Sequence, residues 1–429
     1  MQSIRTLYRI GLGPSSSHSM GPNRAAEIFR RRVEARTPAR VVVELYGSLA
    51  ATGRGHRTDK ALSAGLAPLE AAVQWRPDEE LPAHSNGMVF RAMDASGAEI
   101  ESWRVYSIGG GMLADDAGPL PEDAAGEYPC RSLADVLEWC DAEEKPMWAY
   151  VERHDPPEVW QHLSRVWSVM RESLQRGLAS DAEVLPGSLG LRRRARTMRD
   201  RANDSVGFLR YLHLLSSYAL SVAEENAAGG LIVTAPTCGS AGVLPAVLYY
   251  FWKHAGAGEQ DILRALATAG LVGAVVAERA SISGAQVGCQ GEIGTACSMG
   301  AAAAAQLNKA TPLQIEYAAE MGMEHWLGLT CDPIDGLVQV PCIERNAFAA
   351  MRAAECAAYA VATDGEHLVT FDNVVDVMNQ TGRDLQRKYR ETATGGLAAI
   401  MESVLARRRA ATKEQSSKPP KNDKTSYKK

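Results

Sequence analysis

The sequence lacks the signatures of several common protein classes. Its eight cysteines form no C-x-x-C pair, which disfavours a zinc ribbon and a thioredoxin-like redox site. It has no G-x-S-x-G elbow of a serine hydrolase, and no apolar loop carries the lysine that a pyridoxal phosphate enzyme requires. Eight cysteines over 429 residues also do not make a disulfide scaffold, so we expect free thiols.

The chain also lacks long apolar runs and an excess of positive charge. There is no run of 18 apolar residues, and no apolar core follows a basic start, so we expect neither a membrane span nor a secretory signal. Lys and Arg number 46 against 51 Asp and Glu, a formal net charge of −5, so no global positive field favours nucleic acid. We therefore expect a cytoplasmic protein with no nucleic-acid partner and no membrane partner.

The length and the residue pattern predict more than one domain. A chain of 429 residues exceeds one ordinary hydrophobic core. Strands are predicted at 40–46, 88–91 and 102–108, and helical patterns follow Pro22 and Asp59. Further helices are predicted at 157–177, 196–228, 242–256, 258–280, 295–309, 313–324 and 344–363.

The predicted fold class is therefore α+β. A small N-terminal α/β domain is predicted over residues 1–150, with a loop at 114–130, and a larger all-α domain over residues 151–408. Residues 409–429 are rich in Lys, Ser and Pro, which predicts a disordered tail.

Three cysteines lie in segments broken by glycine or proline within the helical part of the chain. They are Cys289 in G-C-Q-G-E, Cys331 in C-D-P-I-D-G and Cys342 in P-C-I-E-R. Three thiolates are one short of a tetrahedral set, and a metal centre with an open position can act as a Lewis acid. The alternative is that these are buried cysteines that pack as small hydrophobic side chains.

Two histidines lie in glycine-containing segments near the amino terminus. His18 ends the run Ser15, Ser16, Ser17, where hydroxyls and a helix start favour a carboxylate or phosphate ligand. His56 lies in T-G-R-G-H-R-T-D, and a neutral imidazole there could act as a base tuned by Asp59. The alternatives are a plain capping loop at His18 and a surface turn before a helix at His56.

A third glycine-rich region combines an amide, hydroxyls and a thiol. Asn226 precedes a pair of glycines, and the segment T-A-P-T-C-G-S-A-G then contains Thr234, Thr237 and Cys238. Small residues allow a ligand to approach the backbone closely. The alternative is a tight turn between helices in which Cys238 only packs.

Taken together, these motifs resemble the bacterial iron–sulfur L-serine dehydratase (L-serine ammonia-lyase) family in its single-chain form. The resemblance runs in order from about residue 3 to about residue 405. It is carried by G-P-S-S-S-H-S-M-G-P, G-H-R-T-D, T-A-P-T, G-C-Q-G-E-I-G, C-D-P…G-L-V-Q-V-P-C-I-E-R-N and K-Y-R-E-T-A-T-G-G-L.

The resemblance implies a mechanism and a set of site residues. A 4Fe–4S cluster would be held by Cys289, Cys331 and Cys342, and its open iron would take the hydroxyl of the amino-acid substrate. His56 would remove the Cα proton, although His56 and His18 could exchange roles, and aminoacrylate would collapse to pyruvate and ammonia. Together with His18, three serines would hold the carboxylate and amino group of the substrate, and three further residues would line the same pocket: Ser15, Ser16, Ser17, Asn226, Thr234 and Thr237.

The resemblance also implies a homodimer and a small domain similar to a serine-binding regulatory fold. The chain departs from the family in two ways. Its last cysteine is Cys356, so a cysteine from the tail is not expected to reach the open iron. Cys238 stands where many relatives have asparagine, and it is either a neutral variant or a conditional fourth ligand.

Two alternatives to L-serine dehydration stay open. The same fold could eliminate from L-cysteine or L-threonine, because the Cα-proton chemistry would be shared. The chain could instead be a non-catalytic sensor that binds a metal or a cluster.

Overall fold

The computed structural model describes residues 1–121 and 126–416. Its strands are β1 (Ile10–Leu12), β2 (Arg40–Tyr46), β3 (Ala71–Arg76), β4 (Gly87–Met93), β5 (Glu99–Gly109), β6 (Met112–Asp115), β7 (Gly118–Pro119) and β8 (Leu231–Val233). The three strands predicted from the sequence are confirmed as β2, part of β4 and part of β5.

Strands β2 to β7 form one sheet in the order β3-β2-β4-β5-β6-β7. The β2–β3 pair is parallel and the remaining pairs are antiparallel. Val41, Val43 and Leu45 of β2 are fully buried, as expected when alternate residues of a strand face one core. That core lies within residues 25–113 and includes Phe29, whose ring lies 5.1 Å from that of Phe90.

The helices form the rest of the molecule. They are α1 (Gly21–Val33), α2 (Gly47–Thr52), α3 (Thr58–Leu66), α4 (Leu133–Glu143), α5 (Trp148–His154), α6 (Glu158–Ala179), α7 (Ala195–Asn203), α8 (Gly207–Ala227), α9 (Val243–His254), α10 (Glu259–Arg279), α11 (Gly284–Val287), α12 (Thr295–Leu307), α13 (Pro312–Glu324), α14 (Cys342–Val361), α15 (Phe371–Asp384) and α16 (Gly396–Ser416). The predicted α+β class, with a small sheet domain ahead of a larger helical domain, is confirmed.

Helix α12 lies at the centre of the helical domain, packed against α9, α10, α13 and α14. Its run Ala301–Ala305 is fully buried, because small side chains let neighbouring helices approach closely.

Among the described residues, α10 is long and apolar enough to cross a membrane by length and composition alone, but 72% of its apolar window is buried inside the protein. Its hydrophobicity is therefore explained by its place in the core.

The predicted helix at 196–228 is two helices, α7 and α8. The chain breaks between them, and Gly207 begins α8 with a φ of +54°, a conformation that favours glycine.

The first residues of the chain belong to the helical core rather than to the sheet. Ile4 and Tyr8 are fully buried there, and β1 pairs antiparallel with β8. Residues 128–150, predicted to belong to the smaller domain, also pack into this larger core. The chain therefore enters the small domain from the helical domain, and the segment after β1 lies between the two.

Helix α16 continues across the predicted tail boundary at residue 409 and ends at Ser416. Residues 417–429 of that tail lie outside the described residues.

Candidate active site

A five-residue π-helical turn, Ser16–Met20, presents His18 at the start of α1. The Ser15 hydroxyl accepts a hydrogen bond from the backbone N–H of His18 at 3.1 Å, which caps the turn. The ring is held on both sides: Nδ1 lies 3.0 Å from Ser17 Oγ, and Nε2 lies 2.9 Å from Thr52 Oγ1. His18 is fully buried, and burial lowers its pKa to about 4. The turn thus fixes a neutral imidazole in one orientation.

His56 lies in the turn between α2 and α3 and is also fully buried. Its ring centroid is 4.4 Å from that of His18. Neither ring nitrogen has a hydrogen-bond partner within residues 1–121 and 126–416. Burial lowers the pKa of His56 well below its usual value, and the nearby His18 lowers it further. Asp59 is exposed on the first turn of α3 and is not among the groups that shift the pKa of His56.

A third buried histidine, His84, lies close to this pair. Its Nδ1 accepts a hydrogen bond from the backbone N–H of Asn86 at 2.9 Å, so the neutral ring carries its proton on Nε2. Burial, with a smaller contribution from His18, lowers the pKa of His84 to about 4.

This depressed pKa predicts a pH-dependent stability. As the pH falls below about 6.5, the unfolded chain gains a proton at His84 that the folded protein does not accept until about pH 4. The free energy of unfolding should fall across this interval by about 3 kcal/mol for this residue. Urea titrations at several pH values should show a flatter decline for His84→Gln, while the exposed-site variant His325→Gln should follow the parent. Parallel curves for His84→Gln and the parent would contradict the assignment.

The three predicted metal-ligand cysteines lie at the ends of helical segments. Cys289 precedes a second π-helical turn, Gln290–Gly294, which leads into α12, and Cys342 is the first residue of α14. Cys331 lies in the loop between α13 and α14. All three thiols are free and buried. π-Helical turns often mark functional sites, and here both carry site residues.

The carboxylate of Glu292 lies close to two of these thiols. The sulfur atoms of Cys289 and Cys331 and a carboxylate oxygen of Glu292 all lie within 4.8 Å of one another. A hydrogen bond from Cys331 lowers the pKa of Cys289 to about 6 against the opposing effect of burial, and Arg345 lowers it further. Burial and the charge of Cys289 raise the pKa of Cys342. Cys289 is thus the thiol most readily ionised.

These residues fit an iron–sulfur cluster. Three soft thiol donors are the ligands that such clusters use, and the guanidinium of Arg345 offsets the negative charge that thiolates bring. Gly284 leaves space beside them, because a Cβ there would lie 3.1 Å from Cys331 Sγ and 2.8 Å from Glu292 Oε2.

Two glutamates lie beside the cysteines, and one of them, Glu391, also contacts a histidine. Glu292 Oε1 accepts a hydrogen bond from Thr237 Oγ1 at 2.7 Å, and burial raises the pKa of Glu292 to about 8. Glu391 Oε1 lies 3.5 Å from His18 Nδ1, while the Glu391 backbone N–H donates to the carbonyl of Cys331 at 2.6 Å. Both glutamates lie in motifs that carry the family resemblance, and that position was the only sequence signal for them.

The remaining predicted site residues have the following contacts. Ser16 Oγ accepts from the backbone N–H of Cys238 at 3.5 Å, and Asn226 donates to the carbonyl of Pro14 at 2.9 Å. The Thr234 hydroxyl is occupied by backbone groups, the carbonyl of Leu7 and the N–H of Arg9. Thr234 therefore fastens the N-terminal segment, and its substrate contact stays a prediction.

Cys238 and Cys342 both lie outside the tight group of donor atoms formed by Cys289, Glu292 and Cys331, although the charge of Cys289 raises the pKa of Cys342. The sulfur of Cys238 is 3.9 Å from Met20 Sδ, and burial raises the pKa of its thiol well above the usual value. A buried, protonated thiol against a thioether is a packing contact.

Two neutral histidines, buried together and linked through Glu391 to the backbone of a cysteine, are an arrangement typical of an enzyme active site. Residues 86–398 match the family model described as "Serine dehydratase alpha chain", and residues 3–74 match that described as "Serine dehydratase beta chain". The chain belongs to the serine dehydratase family, with both parts fused in one polypeptide.

Curated relatives agree with this membership. An L-serine dehydratase of Streptomyces coelicolor is 42% identical, over 92% of this chain and 98% of that protein. L-serine dehydratase 2 of Escherichia coli is 39% identical, over 93% of this chain and 98% of its own. An L-serine dehydratase of Helicobacter pylori is 34% identical, over 93% and 99%.

Proposed function

We propose that this enzyme converts L-serine to pyruvate and ammonia by β-elimination of water. A 4Fe–4S cluster would be held by Cys289, Cys331 and Cys342, and His56 would act as the base. The observation that supports the proposal most is His56 itself, a fully buried, neutral imidazole with both nitrogens unpartnered within the described residues. Such a group is available to take a proton from a ligand bound beside it.

The cluster, when bound, supplies a Lewis acid toward the hydroxyl that leaves. The protein's own residues do the rest. His56 accepts the Cα proton at a ring nitrogen, and its low pKa ensures that the ring is unprotonated at neutral pH. His18, held by Ser17 and Thr52, orients the amino acid together with the Ser15–Ser17 hydroxyls.

Burial of the site favours this chemistry. Both histidine rings are fully shielded from solvent, so the transferred proton is not lost to bulk water. Loss of the Cα proton and of water produces aminoacrylate, which tautomerises to an imine and hydrolyses to pyruvate and ammonia.

The cytoplasmic location and the homodimer belong to the same proposal. The buried free cysteines support a reducing compartment. A run of exposed apolar residues at the start of α8 supports an interface between two copies, since Val206 is 84% and Phe208 73% exposed.

The proposal is tested by purification without oxygen, followed by measurement of pyruvate release and of visible absorbance. We expect a brown protein that releases pyruvate from L-serine and loses both properties in air. A colourless, inactive protein after anaerobic reconstitution would contradict the cluster and favour the sensor alternative. A higher kcat/KM for sulfide release from L-cysteine, or for turnover of L-threonine, would contradict the substrate assignment.

A further inference from the structure

A cavity of about 200 Å³ lies between the two domains beside the histidine pair. The small domain contributes Ser48 and the loop residues 80–85, and the helical domain contributes residues 285–286 and the segment before α16. Its lining includes Arg390 and Thr392 of the K-Y-R-E-T-A-T-G-G-L motif, but none of the serines 15–17 that the resemblance assigns to the substrate carboxylate and amino group. Its volume is sufficient for a molecule of three carbons.

Three side chains that line this cavity contain buried polar atoms without hydrogen-bond partners among the described residues. Arg390 lines the cavity, and its buried Nε has no hydrogen-bond partner in residues 1–121 and 126–416. Its Nη1 makes one contact, with the carbonyl of Gln286 at 3.4 Å, and no carboxylate of the described chain lies within ion-pair distance of Arg390. A half-buried arginine normally forms an ion pair with an anionic group. The guanidinium of Arg390 is therefore able to pair with a negatively charged ligand.

Two further groups of the cavity wall lack partners in the same way. His84 is 4% exposed, and its Nε2, the nitrogen that carries the proton, is unpartnered within the described residues, as is the buried Oγ of Ser85. Arg387 also lines the cavity, but its charge is already used, because Nε donates to Glu80 at 2.6 Å. Buried donors are almost always paired in folded proteins, so these groups indicate a missing acceptor.

The cavity borders the proposed reaction site. The carbonyl of Ser48 lies 3.3 Å from His18 Nε2, and the Ser48 hydroxyl donates to the carbonyl of Glu391 at 2.6 Å. On the opposite wall, Ala285 follows Gly284, where an added Cβ would lie 3.1 Å from Cys331 Sγ. A ligand in the cavity would therefore lie beside His84, near His18, and close in the chain to the glycine that contacts Cys331.

We propose that this cavity receives the carboxylate of a three-carbon amino or hydroxy acid, with Arg390 as its main contact and His84 and Ser85 as further donors. The identification of L-serine as that ligand rests on the proposed function; the carboxylate site itself does not. The planar guanidinium suits a carboxylate because two parallel N–H groups can meet its two oxygens.

Calorimetric titration of the anaerobic holoenzyme with L-lactate and with lactamide tests the site. The two probes share shape and hydroxyl but differ in charge, so we expect lactate to bind and lactamide not to. Arg390→Gln should weaken lactate binding by about tenfold to a hundredfold, because a charge-assisted contact is lost. Arg383→Gln, which removes an exposed arginine of α15, should leave it unchanged. Equal affinity for the two probes, or an Arg390→Gln variant with parental affinity, would overturn the proposal.

A second pair of variants keeps the test valid if Arg390→Gln fails to fold. Ala83 lies on an exposed part of the cavity wall, so substitution there leaves both cores intact. Ala83→Glu would add a carboxylate to the wall of the cavity that Arg390 also lines and should abolish lactate binding, whereas the uncharged Ala83→Gln should reduce it much less. Equal effects of the two substitutions would count against charge recognition.

Failure of the carboxylate site can be distinguished experimentally from failure of the proposed function. If the enzyme releases pyruvate from L-serine but Arg390→Gln leaves KM unchanged, the carboxylate site is wrong and the activity stands. If no pyruvate forms but lactate binding depends on Arg390, the site stands and the reaction is wrong.

Discussion

Replacement of His56 by asparagine should lower kcat/KM for L-serine by about 10²- to 10⁴-fold, the contribution typical of a general base. Asparagine is polar and smaller than histidine but cannot accept the Cα proton at neutral pH. The iron content and the visible absorbance should match the parent, because His56 is not among the cysteine ligands. Steady-state pyruvate release and iron analysis on the same anaerobic sample measure both properties.

Two matched variants control this experiment. His325→Asn changes a histidine whose side chain is 48% exposed and distant from the thiols, and it should retain full activity. His18→Asn tests the alternative in which the two histidines exchange roles. If His56→Asn is as active as the parent while His18→Asn is inactive, the base is His18.

Replacement of Cys331 by serine should remove the cluster. A neutral hydroxyl is a poor substitute for a soft thiolate, and changes even to groups that only support a ligand can cost 10- to 100-fold in metal affinity, so loss of a ligand should cost more than about 100-fold. We expect loss of bound iron, of the charge-transfer absorbance and of pyruvate release together. Iron analysis and absorbance after anaerobic reconstitution provide the measurement.

Cys140→Ser is the control for Cys331→Ser. Cys140 is a buried thiol of α4 that lies among apolar side chains, where burial raises its pKa to about 11. Its serine variant should keep its iron, although it should lose some stability. A Cys331→Ser protein with full iron would show that the ligand set is wrong.

Much of the fold could be predicted, because the spacing of apolar residues along the chain indicates where helices and strands lie. The strand Arg40–Tyr46 has the predicted bounds, and the amphipathic pattern of 157–177 differs from α6 by only one or two residues. The helices α4 and α5, which follow the loop predicted at 114–130, were not among the helices predicted individually. Their apolar residues pack against elements far along the chain, including α10 and α13, and no local pattern reports such contacts.

The candidate site also contains residues that could be predicted from the sequence and contacts that could not. Cys289, Cys331, Cys342, His18 and His56 could be selected from the sequence, because thiols and histidines beside glycine and proline are chemically conspicuous. The contact of Glu391 with His18 could not, because it joins residues more than 370 positions apart. Glu391 also adopts a φ of +56°, a strained conformation for a residue with a side chain, which only packing around it can maintain.

The sequence by itself determined the family, the fold class and the residue types that carry the chemistry, because these depend on short motifs and on local hydrophobic patterns. Only the tertiary structure decided that His56 is left without a hydrogen-bond partner in the described chain, that Glu292 lies within 4.8 Å of two cysteine sulfurs, and that Arg390 lines a cavity with no carboxylate of the described residues paired to it. The reason is physical: burial, desolvation and the pairing of charges are set by which distant segments meet, and that is a property of the folded chain alone.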